Sequence, residues 1–247
     1  MKRQAVAFGL GLLLAGLALP ALAATVPVAV AANFTDVAKE LATGFKAKTG
    51  DDLQLSFGAS GALYTQISQG APFEVFLSAD TARTKKAIAD GYGVAGSDFT
   101  YAVGKLVFYS TSVDVTQGDA VLKAGKFNKL SIADPKAAPY GAAALEVIDK
   151  LGLKDALTPK IVTGESITQA LQFVESGSAE VGFVALSQVI NSKNSQWLVP
   201  ADLYTPIAQG AVLLKTGAND TAAKAFLDYL KSDEAVAVIK KAGYAVE

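Results

Sequence analysis

From about residue 25 onward the chain switches repeatedly between two hydrophobic periods, and that alternation restricts its fold more than any other feature. Residues 26–31 form a continuous apolar run, the pattern of a buried strand. Residues 33–48 then carry Phe34, Val37, Ala38, Leu41, Ala42 and Phe45 at helical spacing, and Gly50 follows as a stop signal. Leu53, Leu55 and Phe57 alternate with polar residues as a second strand. Residues 58–61 read as a tight turn, 62–69 as a helix and 75–77 as a third strand. Strand, helix, strand, helix, strand in this order predicts a parallel sheet with helices on both faces. The unit recurs after Gly104, with strands at 106–109, 130–133, 161–162, 181–185 and 207–214. Helices are expected at 139–151, bracketed by Pro139 and Gly152, and at 166–175, 222–230 and 234–242. No linker rich in Pro, Gly or Ser separates the two units, so lobes joined by strands fit best; a single doubly wound domain is the alternative.

The first residues set the compartment. Lys2 and Arg3 precede an uncharged apolar run at 5–19, then Pro20 and the small-x-small site Ala21-Leu22-Ala23. This is the three-part pattern of a cleaved secretory leader, and the run is short for a membrane anchor. The mature chain is then about 224 residues, ample for one large or two modest domains. Without Lys2 and Arg3 the 22 basic residues become 20 against 23 acidic ones, a net charge of about −3. With no basic patch, nucleic acid is not an expected partner. Cysteine and histidine are both absent. That removes disulfides, a lipid-bearing cysteine, a thiolate nucleophile and a histidine general base. A zinc site would need carboxylates alone.

Four segments end a predicted strand and open a helix with small or hydroxyl-bearing residues: 31–35, 58–61, 138–141 and 164–167. A helix start leaves about four backbone N–H groups unpaired and carries roughly half a positive charge. In open parallel sheets the ligand lies beyond the carboxyl ends of the strands. Several such starts converging on one cleft make a neutral cage for a small oxyanion. Each segment also has a plainer reading. Asn33 fits an N-cap, with Asp36 completing a variant capping box, and Ser166 fits the cap of its own helix. Tyr140 fits a half-buried aromatic, and Trp197 fits the core. Ser60, flanked by Gly58-Ala59 and Gly61, is the least cap-like of the set.

Taken together these segments resemble the periplasmic molybdate-binding proteins of the type II solute-binding fold. The resemblance covers essentially the whole mature chain. It rests on Val30-Ala31-Ala32-Asn33-Phe34-Thr35, Ser56-Phe57-Gly58-Ala59-Ser60-Gly61-Ala62-Leu63 and Gln66-Ile67. Its most specific stretch is Gly70-Ala71-Pro72-Phe73-Glu74-Val75-Phe76-Leu77-Ser78-Ala79-Asp80, with Glu74 where the family pattern has Asp. Ala133-Asp134-Pro135, Pro139-Tyr140-Gly141, Val181-Gly182-Phe183-Val184 and Phe226-Leu227-Asp228-Tyr229-Leu230 continue it.

The resemblance implies an α/β protein of two lobes, each a mostly parallel sheet flanked by helices, with the ligand cleft between them. The expected divisions are a leader at 1–23, one lobe from 24–104 plus 207–247, and a second from 105–206. It implies that Asn33, Ser60, Tyr140 and the backbone N–H of Ile167 bind molybdate or tungstate through the oxyanion's oxygens, not as ligands of the metal itself. Some family members have a tyrosine where this chain has Ala185, and a small residue where it has Tyr140. The Tyr140 hydroxyl is therefore expected to reach the oxyanion from a different helix. The implied protein is a periplasmic monomer with no cofactor, which hands its ligand to an inner-membrane ABC permease. Rival readings are a receptor for sulfate or another small anion, a secreted carboxylate hydrolase or lyase using Glu165 or Asp134, and a purely structural domain.

Overall fold

The computed structural model describes residues 23–246; the leader at 1–23 falls almost wholly outside them. Two five-stranded sheets carry the chain. The first has strand order β2-β1-β3-β10-β4, from β1 (Thr25–Ala31), β2 (Asp52–Gly58), β3 (Val75–Ser78), β4 (Phe99–Gly104) and β10 (Ile207–Leu213). The second has order β7-β6-β8-β5-β9, from β5 (Leu106–Ser110), β6 (Leu130–Ala133), β7 (Ile161–Gly164), β8 (Val181–Ala185) and β9 (Ser195–Leu198). In each, three neighbouring strands are parallel and the fourth, β10 or β5, runs antiparallel to both its neighbours. The two sheets are thus built on one plan, each mixed rather than purely parallel.

The helices are α1 (Thr35–Thr49), α2 (Ser60–Ser68), α3 (Thr81–Ala89), α4 (Gly118–Ala124), α5 (Pro139–Lys150), α6 (Lys154–Leu157), α7 (Ile167–Glu175), α8 (Leu186–Val189), α9 (Thr221–Tyr229) and α10 (Asp233–Lys241). β1 is apolar without alternation because it is covered on both faces: Val26, Val28, Ala29 and Val30 are all fully buried. Phe34, Phe45 and Phe226 close one of those faces, each burial stabilising by roughly 1.5–3 kcal/mol. Phe45 and Phe226 meet edge to face at 5.5 Å, which adds about 0.5–1.5 kcal/mol. This contact joins α9 to α1, and α10 packs against α1 beside it.

Lys105 alone separates β4 from β5, and Tyr204-Thr205-Pro206 leads back into β10. The two crossings are tied together, since the Leu106 N–H donates to the Tyr204 hydroxyl at 3.2 Å.

Several sequence expectations are corrected. Residues 58–61 do not form a separate turn, because α2 begins at Ser60 itself. Asn33 caps no helix: it sits inside a 3-10 turn, Ala32–Phe34, that feeds α1, and its amide faces inward. Asp36 accordingly completes no capping box. Trp197 is only half-buried, lying on edge strand β9 over Gly118. Ser166 is a cap, its hydroxyl accepting from the Gln169 N–H at 3.3 Å.

Candidate functional site

The four segments singled out in the sequence follow the carboxyl ends of β1, β2, β6 and β7, the two outermost parallel pairs of the two sheets. They meet in one buried cluster: Ala31, Ala32, Ala59 and Ala79 from one side, with Ala138, Tyr140 and Ile167 from the other. Asn33, Ser60, Tyr140 and Ile167 are each at most 4 % exposed.

Most helices aimed at this cluster start without a side-chain cap, as α4 and α6 also do, and α7, capped by Ser166, is the exception. Asp80, Asp220 and Ser232 cap α3, α9 and α10 with side-chain oxygens. No side chain caps α1, α2 or α5. Pro139 presets the first turn of α5, and Gly141 lets that turn come close to β6. A Cβ on Gly141 would lie 2.7 Å from the Ala133 carbonyl carbon. In α7 the Ser166 cap reaches Gln169, which leaves the Ile167 N–H, at the first position, beyond any intrahelical carbonyl.

Hydrogen-bond direction decides what each group can offer. The Ser60 hydroxyl accepts from the Ala79 N–H at 2.9 Å, so its own hydrogen is left to donate. The Tyr140 hydroxyl accepts from Gln209 Nε2 at 3.3 Å, with the same consequence. Asn33 is the reverse case. Both hydrogens of its amide are spent, on Gln209 Oε1 and on the Tyr244 hydroxyl, each at 2.9 Å. Its side chain presents only an acceptor, so what Asn33 can give an anion is its main-chain N–H.

Around these groups lies a polar network that the sequence reading missed. Gln209, fully buried on β10, accepts from Tyr101 as well, at 2.9 Å. Tyr244 donates to the Asn33 carbonyl at 2.8 Å, and Ser187 donates to the same oxygen at 2.9 Å. Burial pushes the Tyr101 and Tyr140 phenols well above their usual range and Tyr244 up to about 12, so all three stay protonated donors at any physiological pH. The one signal in the sequence was Gln209 itself, a polar residue in the middle of an apolar strand.

No Lys, Arg, Asp or Glu is among the buried polar residues of the described chain. The nearest cation to the Gly61 turn, Arg83, is already engaged: it pairs with Asp80 and donates to the Lys136 carbonyl at 2.8 Å. That bond is one of several across the cleft. Gly61 N–H donates to Ala137 at 2.8 Å, and Thr168 Oγ1 to Ala32 at 3.4 Å.

Residues 26–245 match the family model described as bacterial extracellular solute-binding protein. The chain is 60% identical over 237 residues to the molybdate-binding protein ModA of Rhodobacter capsulatus, covering 95% of this chain and 94% of that one. The chain belongs to the bacterial extracellular solute-binding proteins, in the branch that holds the periplasmic molybdate-binding proteins. A second relative, ModA of Azotobacter vinelandii, is 52% identical over 252 residues, covering 100% of this chain and 98% of the relative. Among solved structures, the periplasmic molybdate-binding protein of Azotobacter vinelandii superimposes with a TM-score of 0.86 at 40% identity, over 90% of this chain and 99% of that one. Both sheets of this solute-binding protein therefore have counterparts in a molybdate receptor.

Proposed function

We propose that this chain captures molybdate, and also tungstate, between two lobes and delivers it to an inner-membrane ABC permease. The lobes are residues 24–104 with 207–247, and 105–206. After loss of the leader at 1–23 the protein works in the periplasm as a monomer without a cofactor, as a receptor and not as an enzyme. The oxyanion accepts hydrogen bonds from the main-chain N–H groups of Asn33 and Ile167 and from the hydroxyls of Ser60 and Tyr140.

One observation carries this reading. Ser60 and Tyr140, on opposite lobes, each have their acceptor side occupied by a protein N–H, so that each hydrogen can turn to a ligand, that of Tyr140 with the Tyr244 hydroxyl beside it. A site of donors alone suits a fully deprotonated dianion. An anion that retains a proton would bring a hydrogen with no acceptor to meet it, and leaving a polar group so buried costs about 1–3 kcal/mol. Tyr140 also supplies the hydroxyl that Ala185 lacks. Release requires the lobes to part, breaking the bonds that Gly61, Arg83, Thr168 and Ser187 make across the cleft.

The test is a thermal-shift panel with molybdate, tungstate, sulfate, phosphate and chromate. A ligand at 100 times its Kd adds about 2.7 kcal/mol of stability. Molybdate and tungstate should raise the melting temperature clearly and sulfate should not. A panel in which no oxyanion acts, or sulfate acts alone, would overturn the assignment.

A further inference from the structure

The hydrogen bonds behind the site run in one direction, and their starting point fixes that direction. A main-chain carbonyl can only accept. The Asn33 carbonyl therefore takes the hydrogen of Tyr244 at 2.8 Å or that of Ser187 at 2.9 Å, and in the second case Tyr244 gives its hydrogen to Ser187 Oγ at 2.9 Å, so either way it is committed. With its hydrogen so committed, the Tyr244 oxygen receives Asn33 Nδ2, which orients the Asn33 amide. The other Nδ2 hydrogen then goes to Gln209 Oε1, where the Tyr101 hydroxyl also donates. With its oxygen held by two donors, Gln209 must present Nε2 to the Tyr140 oxygen. Gln209 belongs to the first sheet and Tyr140 to α5 over the second, so this last bond spans the two lobes.

We propose that Gln209 is a positioning residue for the anion site: its amide, clamped by Asn33 and Tyr101, orients the Tyr140 hydroxyl so that the hydrogen points to the oxyanion. This rests on the functional reading above and adds the origin of its donor-only character. The orientation depends on lobe closure, because the Gln209 amide reaches Tyr140 only when the lobes meet. A carboxylate in place of Gln209 would accept the Tyr140 hydrogen and turn a lone pair toward the ligand. A thioether would leave the hydroxyl without an orienting donor.

The experiment is a double-mutant cycle on molybdate affinity by titration calorimetry, with wild type, Gln209→Glu, Tyr140→Phe and the double variant. An introduced carboxylate also repels a dianion, and that effect is the same whether or not Tyr140 carries its hydroxyl. Orientation of the hydroxyl is not. Gln209→Glu is expected to weaken binding at least fivefold more in the Tyr140 background than in the Tyr140→Phe background, a coupling of about 1 kcal/mol. The neutral Gln209→Met variant, run through the same cycle, gives the same sign and stands in if the carboxylate variant does not fold. Equal factors in both backgrounds mean that Gln209 acts through packing or charge alone, and the inference falls while the function stands. Wild-type protein that binds no molybdate overturns the functional reading instead.

Discussion

Gly104 tests the placement of Tyr140 without touching any donor. It ends β4, one residue before the crossing into β5, and the Tyr140 ring lies directly over it. A Cβ added there would fall inside the contact envelope of the Tyr140 hydroxyl oxygen, 2.9 Å from Tyr140 Cζ and 2.8 Å from Gln209 Nε2. Ordinary contact begins near 3.4 Å, so the ring must retreat by about half an ångström at Cζ and further at the oxygen. The Gln209 bond is already long at 3.3 Å and cannot survive such a retreat. Overpacking of this kind costs about 1–3 kcal/mol of stability. Losing the Tyr140 donor costs about 1–3 kcal/mol of binding, roughly fivefold to 150-fold in Kd. Gly104→Ala should therefore weaken molybdate binding by that factor in calorimetry, whereas in a Tyr140→Phe background the same substitution should cost less than half as much. A Gly104→Ala protein that binds within twofold of wild type would show that the Tyr140 hydroxyl does not serve the site.

Four further outcomes are expected. Tyr140→Phe alone should weaken molybdate binding by about 1–3 kcal/mol in calorimetry, and unchanged affinity would remove Tyr140 from the ligand set. Arg83→Gln removes the bond to the Lys136 carbonyl at the partly exposed rim. It should speed ligand release in stopped-flow measurements by less than tenfold, and an unaltered rate would mean that Arg83 does not hold the lobes together. Phe226→Ala empties a fully buried site against Phe45 and should cost about 3–5 kcal/mol in chemical denaturation; a loss below 1 kcal/mol would contradict the packing described. Glu74 has a buried, unpartnered Oε2, and burial together with the Asp220 charge raises its pKa from 4.5. Its neutral form is the one the fold favours, so its contribution is complete below about pH 4.5 and is lost as pH rises through the higher folded value. The melting temperature of Glu74→Gln should thus exceed wild type increasingly above that pH and converge with it below; a gap independent of pH would refute the sign.

Much of the fold could be read from the sequence because its signals are local. The apolar run of β1, the 3.6-residue period of α1 and the Pro139 and Gly152 brackets of α5 all act within a few residues of where they sit. β4, α4 and β9 were not legible. Phe99-Thr100-Tyr101-Ala102-Val103-Gly104 neither alternates cleanly nor runs apolar, because β4 is an edge strand bridged to Ala245 from the far end of the chain. The candidate site could be proposed as a set of segments for the same local reason: each is a strand end followed by a helix start.

What local pattern could not supply was the direction of the hydrogen bonds, and at an anion site direction is the chemistry. The sequence marks Asn33 as a ligand candidate without showing which of its groups faces the anion. The structure spends the Asn33 side-chain amide on Gln209 and Tyr244, residues 176 and 211 positions away. Only the completed fold brings Tyr101, Gln209 and Tyr244 to one point. Until they meet, the chain cannot determine which groups turn hydrogens and which turn lone pairs toward the cleft. The proposed neutral donor cage is therefore a property of the two closed lobes and not of any one segment. That is why a substitution at Gln209, behind the cleft, is expected to change what the Tyr140 hydroxyl offers within it.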